Sequence, residues 1–231
     1  MDSGLLVALV GLFFVVVIVI MVMGAIASRK RREGMAALAA QRGWGYAERD
    51  DRWTGAFDGA PFGTGHDRRA TNVLTGQYDG RPFVSFDYVY YTTERSTDSE
   101  GRTTSREVAH RFGVTGLDMG AAFPALRVVP EGMVGRFFGR LTNRDIELES
   151  EDFNRAFTVT CPDRKFASDV LHPRTMELLL QWPESAFRLE GRWILDCESG
   201  QVPLEQSEPR LARVDAIVDQ VPDFVWKEVR G

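Results

Sequence analysis

Hydrophobic and polar positions divide this chain sharply. No charged residue occurs from position 3 to position 28, and Arg29, Lys30, Arg31 and Arg32 follow directly. About 20 apolar residues suffice for a helix to cross the hydrocarbon core. In lipid such a segment becomes helical despite its many β-branched residues, because its backbone must satisfy its own hydrogen bonds. Basic residues beside a span stay on the cytoplasmic side. The pattern therefore predicts a single-pass anchor over residues 1–32, its N-terminus outside and the rest of the chain on the inner face of a cell membrane. Gly4, Gly11 and Gly24 are too widely spaced for the close-packing motif of paired spans.

A cleaved signal peptide is the rival reading, since Ala25-Ile26-Ala27 has the small-x-small form. Against it stand the absence of a basic residue before the apolar run, the length of that run and the basic cluster on its far side. Two roles are open to Arg29, Lys30, Arg31 and Arg32: a stop signal that sets topology, or recognition of anionic lipid headgroups.

Residues 33–43 continue the helix, with Met35, Leu38 and Ala39 on one face and Gly43 to end it. Trp44 and Tyr46 then pack into a domain covering residues 44–231. From Trp53 the period becomes that of strands. Residues 68–78 and 81–93 form a hairpin about Asp79-Gly80. In its second strand Val84, Phe86, Tyr88 and Tyr90 point to one face, predicted as core. Ser85 and Asp87 point to the other, predicted as wetter.

Residues 94–105 read as a loop or a long hairpin tip, and 106–114 as the returning strand. A break over 118–124 leaves open one sheet or two, and hence a possible subdivision of the domain. One or two helical turns are predicted over 133–141. Strands are predicted at 145–149 and 155–161, flanking a turn. Asp163 caps a helix to Leu171, and Pro173 starts another. A hairpin is predicted about Glu190-Gly191, and an amphipathic helix over 209–221 carries Leu211, Val214, Ile217, Val218 and Val221. Strands joined mainly by hairpins indicate an α+β fold, a mainly antiparallel sheet with a few packed helices behind a transmembrane helix.

Composition narrows the function classes. After Arg32 the chain has 24 basic and 32 acidic residues, a net charge of −8. An acidic domain argues against nucleic acid as a partner. Two cysteines, Cys161 and Cys197, make no disulfide framework and suit a reducing compartment. Lysine is scarce beside arginine, a bias of GC-rich genomes.

Several phrases resemble a bacterial, actinobacterial-type family of membrane-anchored proteins carrying a domain of unknown function. They are Leu74-Thr-Gly-Gln-Tyr-Asp-Gly-Arg81, Asp152-Phe-Asn-Arg-Ala-Phe-Thr-Val159, Leu171-His-Pro-Arg-Thr-Met-Glu-Leu178 and the stretch 187–197. These are structural phrases rather than catalytic signatures. The resemblance implies an anchor and one α+β unit, and no activity.

Candidate chemistry is sparse. His66, His110 and His172 have no metal-ligand spacing with one another or with a cysteine. Glu147 and Glu149 alternate with Ile146 and Leu148, the pattern of a solvated acidic face. The glycines at 59, 63 and 65 lack the Lys-Ser/Thr of a phosphate loop. No metal, cofactor or catalytic residue is expected. The leading expectation is a membrane-tethered module for an unidentified protein partner. The alternatives are a membrane-bound hydrolase-like enzyme using scattered groups such as Asp87, His110 and Glu147, and a domain that binds lipid in an apolar groove.

Overall fold

The computed structural model describes residues 3–97, 101–131 and 146–230. One helix, α1 (Ser3–Arg42), runs unbroken from the charge-free segment into the folded domain. At 1.5 Å per residue it is about 60 Å long. From Val10 its apolar segment is unburied by the rest of the described residues, whereas Met35 and Ala39 near its end are buried. Gly43, at φ +69°, ends it in the left-handed conformation that glycine adopts without strain, and the Trp44 amide donates back to Ala39 O at 2.8 Å.

Among the described residues six strands form one antiparallel sheet: β1 (Gly45–Arg49), β2 (His66–Tyr78), β3 (Arg81–Thr97), β4 (Thr103–Pro130), β5 (Phe157–Thr160) and β6 (Ala186–Ser199). Asp79 and Gly80 turn the β2–β3 hairpin with φ of +45° and +75°, the twist that two-residue hairpins need. The polar stretch after Thr93 is the outer part of a β3–β4 hairpin, paired as far as Thr97 with Thr103.

β4 organises the sheet. β3 pairs with it from Thr103 to Leu117, β6 runs along its other edge from Phe112 to Val128, and β5 pairs at Arg127 to Pro130. β3 and β5 thus use successive parts of one edge. At 118–124 β4 does not stop; it bulges, with register shifts on either side of Phe123. β6 likewise contains no hairpin at Glu190-Gly191. Both of its halves pair with β4, and Gly191, at φ +56°, lies opposite Phe123 within the bulged stretch.

The remaining elements are α2 (Glu151–Ala156), α3 (Arg164–Val170), α4 (Pro173–Leu179), α5 (Ser207–Asp219) and α6 (Asp223–Arg230), with 3-10 turns at Asp51–Gly55 and Leu204–Gln206. Ser150 caps α2 and Asp163 caps α3, each accepting the amide three residues on at 3.2 Å. The predicted strand at 145–149 is not formed over its described part, 146–149; Ile146 makes a single backbone bond to Val159, and the chain turns into capped α2 instead. Glu147 and Glu149 nonetheless face solvent while Ile146 and Leu148 are half-buried. The helical turns expected at 133–141 lie outside the described residues.

Both faces of the sheet are covered. Val84, Phe86, Tyr88 and Tyr90 pack with Phe112, Val114, Leu195, Phe57 and Phe62, as their alternation predicts. The opposite face was expected to be wetter, but Ser85 and Asp87 are each 5% exposed. Helices α1 and α5 lie on that side, and Met35, Leu74, Phe83, Leu117, Leu211 and Val214 join its core.

Candidate functional site

The junction between the apolar helix and the sheet is a tightly constrained polar site. Arg31 extends from α1 onto β3 and holds both oxygens of Asp87, with Nη2 at 2.9 Å from each and Nε at 3.1 Å from Oδ2. Asn72 donates to Asp87 Oδ2 at 2.8 Å, and Tyr46 Oη donates to Asn72 Oδ1 at 3.2 Å. Asn72 has φ +51° at a bulge in β2, and this aims its amide at the carboxylate. The planar guanidinium suits such two-pronged pairing. Side-chain exposure is 17% for Arg31 and 6% for Asp87, so water screens the pair little.

The other members of the basic cluster diverge. Arg32 pairs with Glu48 on β1 at 2.5 Å, and Arg29 with Glu33 one helical turn on. Lys30 is exposed. At the far end of the helix Arg42 meets Glu208 at 2.5 Å, and Trp44 packs edge-on against Phe83 with centroids 4.8 Å apart. The helix is therefore fastened at both ends of its contact with the domain.

A second polar network fixes α5. Asp196 is 1% exposed and Arg210 3%. Arg210 donates to Asp196 at 3.3 Å and to Gly113 O at 3.1 Å, while Arg213 bonds Asp196 and reaches Glu198 at 2.5 Å. Two cations against two carboxylates leave this cluster neutral. Arg81 binds Asp215 and lies 3.0 Å from Asp219, joining the β2–β3 turn to the same helix. Burial lifts the Asp215 carboxyl above its ordinary range in spite of Arg81.

Beside that turn lies an open groove of about 910 Å³ between the β4 bulge and α6, lined among others by Arg81, Asp118, Met119, Asp219, Trp226 and Lys227. Its charges are of both signs, and no nucleophile stands beside a base among its lining residues. On the other sheet face Arg127 and Arg188 are cross-strand neighbours, and Arg188 donates to Asp58 O at 2.9 Å. Burial, and then Arg188, lower the Arg127 pKa.

Groups considered as a scattered catalytic set do not converge. Asp87 faces the helices. His110 lies opposite Tyr90 on the other face, stacked on that ring and bonded to Thr92 Oγ1 at 2.8 Å. Glu147 is exposed in the segment leading to α2. His66 contacts Asp67 at 3.1 Å at the exposed start of β2, and His172 contacts Gln220 O at 2.9 Å. Among the described residues no three His, Cys, Asp or Glu side chains group as metal ligands. Cys161 and Cys197 are buried and unpaired; burial pushes the Cys197 thiol up to about 11. Outside α1, Phe224 alone among the large hydrophobic side chains described is exposed.

The sheet and its helices are similar to a solved structure. The crystal structure of the mycobacterial trehalose monomycolate transport factor A, TtfA, matches with a TM-score of 0.53 and 14% sequence identity, over 82% of this chain and 90% of that chain. At that identity the likeness is one of fold. No family model matches the sequence, and neither does any curated protein.

The Arg31 site was only half legible in the sequence. The run of basic residues was plain, but its partner lies 56 positions away on a strand whose alternation marked it as wet.

Proposed function

We propose that this protein is a non-enzymatic, membrane-tethered module that docks against an integral membrane protein from the cytoplasmic side. The observation that carries this reading is the junction. The helix enters the domain without a linker and is fastened by Arg31–Asp87 and Arg42–Glu208, so the domain is held at a set height and angle. A flexible tether suits a module that searches for soluble partners. A rigid one suits a partner fixed in the same bilayer, because the ordering cost of docking is already met.

The surface accords with a polar contact, since outside α1 the described residues expose only Phe224 among their large hydrophobic side chains. The fold likeness to a trehalose monomycolate transport factor supports a role in transport at the membrane. The inward orientation rests on Arg29, Lys30, Arg31 and Arg32.

A photoreactive residue at Lys227, on the rim of the open groove, tests the proposal in cells. The expected result is a crosslink to a polytopic membrane protein that disappears when a flexible Gly-Ser insert follows Glu33. Crosslinks to soluble proteins alone, or crosslinking indifferent to the insert, would refute it. So would hydrolysis of ester, phosphate or peptide substrates by the purified protein well above background.

A further inference from the structure

We propose that Lys30, Arg69 and Arg111 form a binding corner for the phosphodiester of an anionic phospholipid, in the leaflet against which the domain is held. Asp87 and Val89 are two apart on β3 and so share the face that α1 covers. Val89 pairs with Arg69 on β2 and with Arg111 on β4, and directly opposed residues share a face. Arg69, Val89 and Arg111 therefore form a row one step beyond the Arg31–Asp87 clamp, the two arginines about 10 Å apart across three strands.

The direction of that step is set by α1. Trp44, at the end of the helix far from the bilayer, touches Phe83, and Arg31, near the bilayer, touches Asp87. β3 thus advances toward the membrane as it runs from Phe83 to Asp87, and Val89 lies about 7 Å further on. Arg31 itself is about 4.5 Å past the last residue of the charge-free stretch. The row falls at headgroup depth. Beyond Tyr91 the β3–β4 hairpin stays paired without a register shift and carries polar and charged side chains, so it lies at the interface only if α1 crosses the bilayer tilted, as a charge-free stretch longer than the hydrocarbon core allows.

Lys30 completes the corner. Successive helix residues are about 100° apart. Arg31 points down to β3 and Arg32 to Glu48 on β1, so Lys30 points to the opposite side, toward β4 and Arg111. Among the described residues no side-chain hydrogen bond or ion pair occupies Lys30, Arg69 or Arg111, and all three are exposed. The nearby carboxylates are accounted for differently: Asp87 is neutralised by Arg31, while Asp67 and Glu107 lie one and two rows further out with His66 between them. Three free cations around one half-buried valine match a phosphate with acyl chains leading away from the sheet.

This inference rests on the membrane-tethered reading. It is tested with the full chain in nanodiscs of phosphatidylcholine, with and without phosphatidylglycerol, by mass spectrometry of the lipid retained after mild detergent extraction. Wild type should retain phosphatidylglycerol selectively. Each cation at an anionic surface is worth roughly a factor of five, so R69Q/R111Q should lose on the order of twentyfold in selectivity. K30Q should lose about fivefold, which keeps the test open if the double variant folds poorly. Equal retention of both lipids by wild type, or selectivity unchanged in the variants, would overturn the proposal. Displacement of the lipid by millimolar inorganic phosphate would also overturn it, in favour of a site for free phosphate. Carbonate extraction from cell membranes separates the two readings: release of the wild type sinks the anchor itself, whereas retention with no lipid selectivity sinks only the corner.

Discussion

Removing Arg31 is the perturbation that best probes the junction. In Arg31→Ala the Asp87 carboxylate, 6% exposed in the wild type, keeps Asn72 as its partner but loses three contacts of 2.9–3.1 Å to a cation. Exposed ion pairs contribute about 0–1 kcal/mol, and breaking a buried one costs about 3–5 kcal/mol. At 17% exposure the Arg31 side chain lies nearer the buried limit, which places the loss at about 2–3 kcal/mol. For a domain of this size 1 kcal/mol moves the midpoint by about 2–4 °C, so thermal unfolding in nanodiscs should fall by about 5–10 °C. Asp87→Ala should lose less, about 1–2 kcal/mol, because the freed guanidinium can turn toward solvent. Arg31→Met with Asp87→Leu should recover most of the loss, since apolar replacement removes both desolvation penalties. A double-mutant cycle on the alanine variants should give a coupling of about 1–2 kcal/mol. Single variants that melt with the wild type would refute the clamp and leave Arg31 as a topology signal only.

Other consequences are equally open to measurement. Both buried thiols should resist a water-soluble alkylating reagent in the native protein and react together on unfolding; labelling of Cys197 at neutral pH would contradict its burial. The Cys197 thiol is raised from an ordinary 9.0 to about 11, so its contribution is intact below pH 9 and is lost as pH rises through 11; Cys197→Ala should flatten the alkaline fall in stability by about 2–3 kcal/mol. Gly113→Ala would set a Cβ 2.6 Å from the Arg210 guanidinium and against Val202, costing about 1–3 kcal/mol by denaturant titration. Asp163→Ala removes the cap that holds the Phe166 amide and should cost about 1 kcal/mol.

Local signals were legible where local physics decides. Asp79-Gly80 specified its turn, Gly43 ended its helix, Asp163 and Pro173 opened theirs, and Val84 to Tyr90 showed their core face by alternation. The misreadings share one cause. Gly191 was read as a turn because a glycine between two apolar runs gives the same local signal in a hairpin and in a bulge; only the 28-residue β4 alongside decides between them. Residues 145–149 alternate as a strand does, yet the described ones, 146–149, find no ladder partner beyond one bond to Val159. Asp87 and Ser85 looked solvent-facing because the second covering layer comes from α1 and α5, distant in sequence from β3. The proposed site is a product of register: Arg69 and Arg111 meet through Val89, and no spacing in the sequence announces that row.

The central proposal is an anchored domain held on the cytoplasmic face. Protease treatment of cells whose outer membrane face is exposed, with a tag at the C-terminus, tests this most directly. The tag should survive until the membrane is breached. Its loss from intact cells would contradict the orientation and place both the domain and its basic corner on the other side.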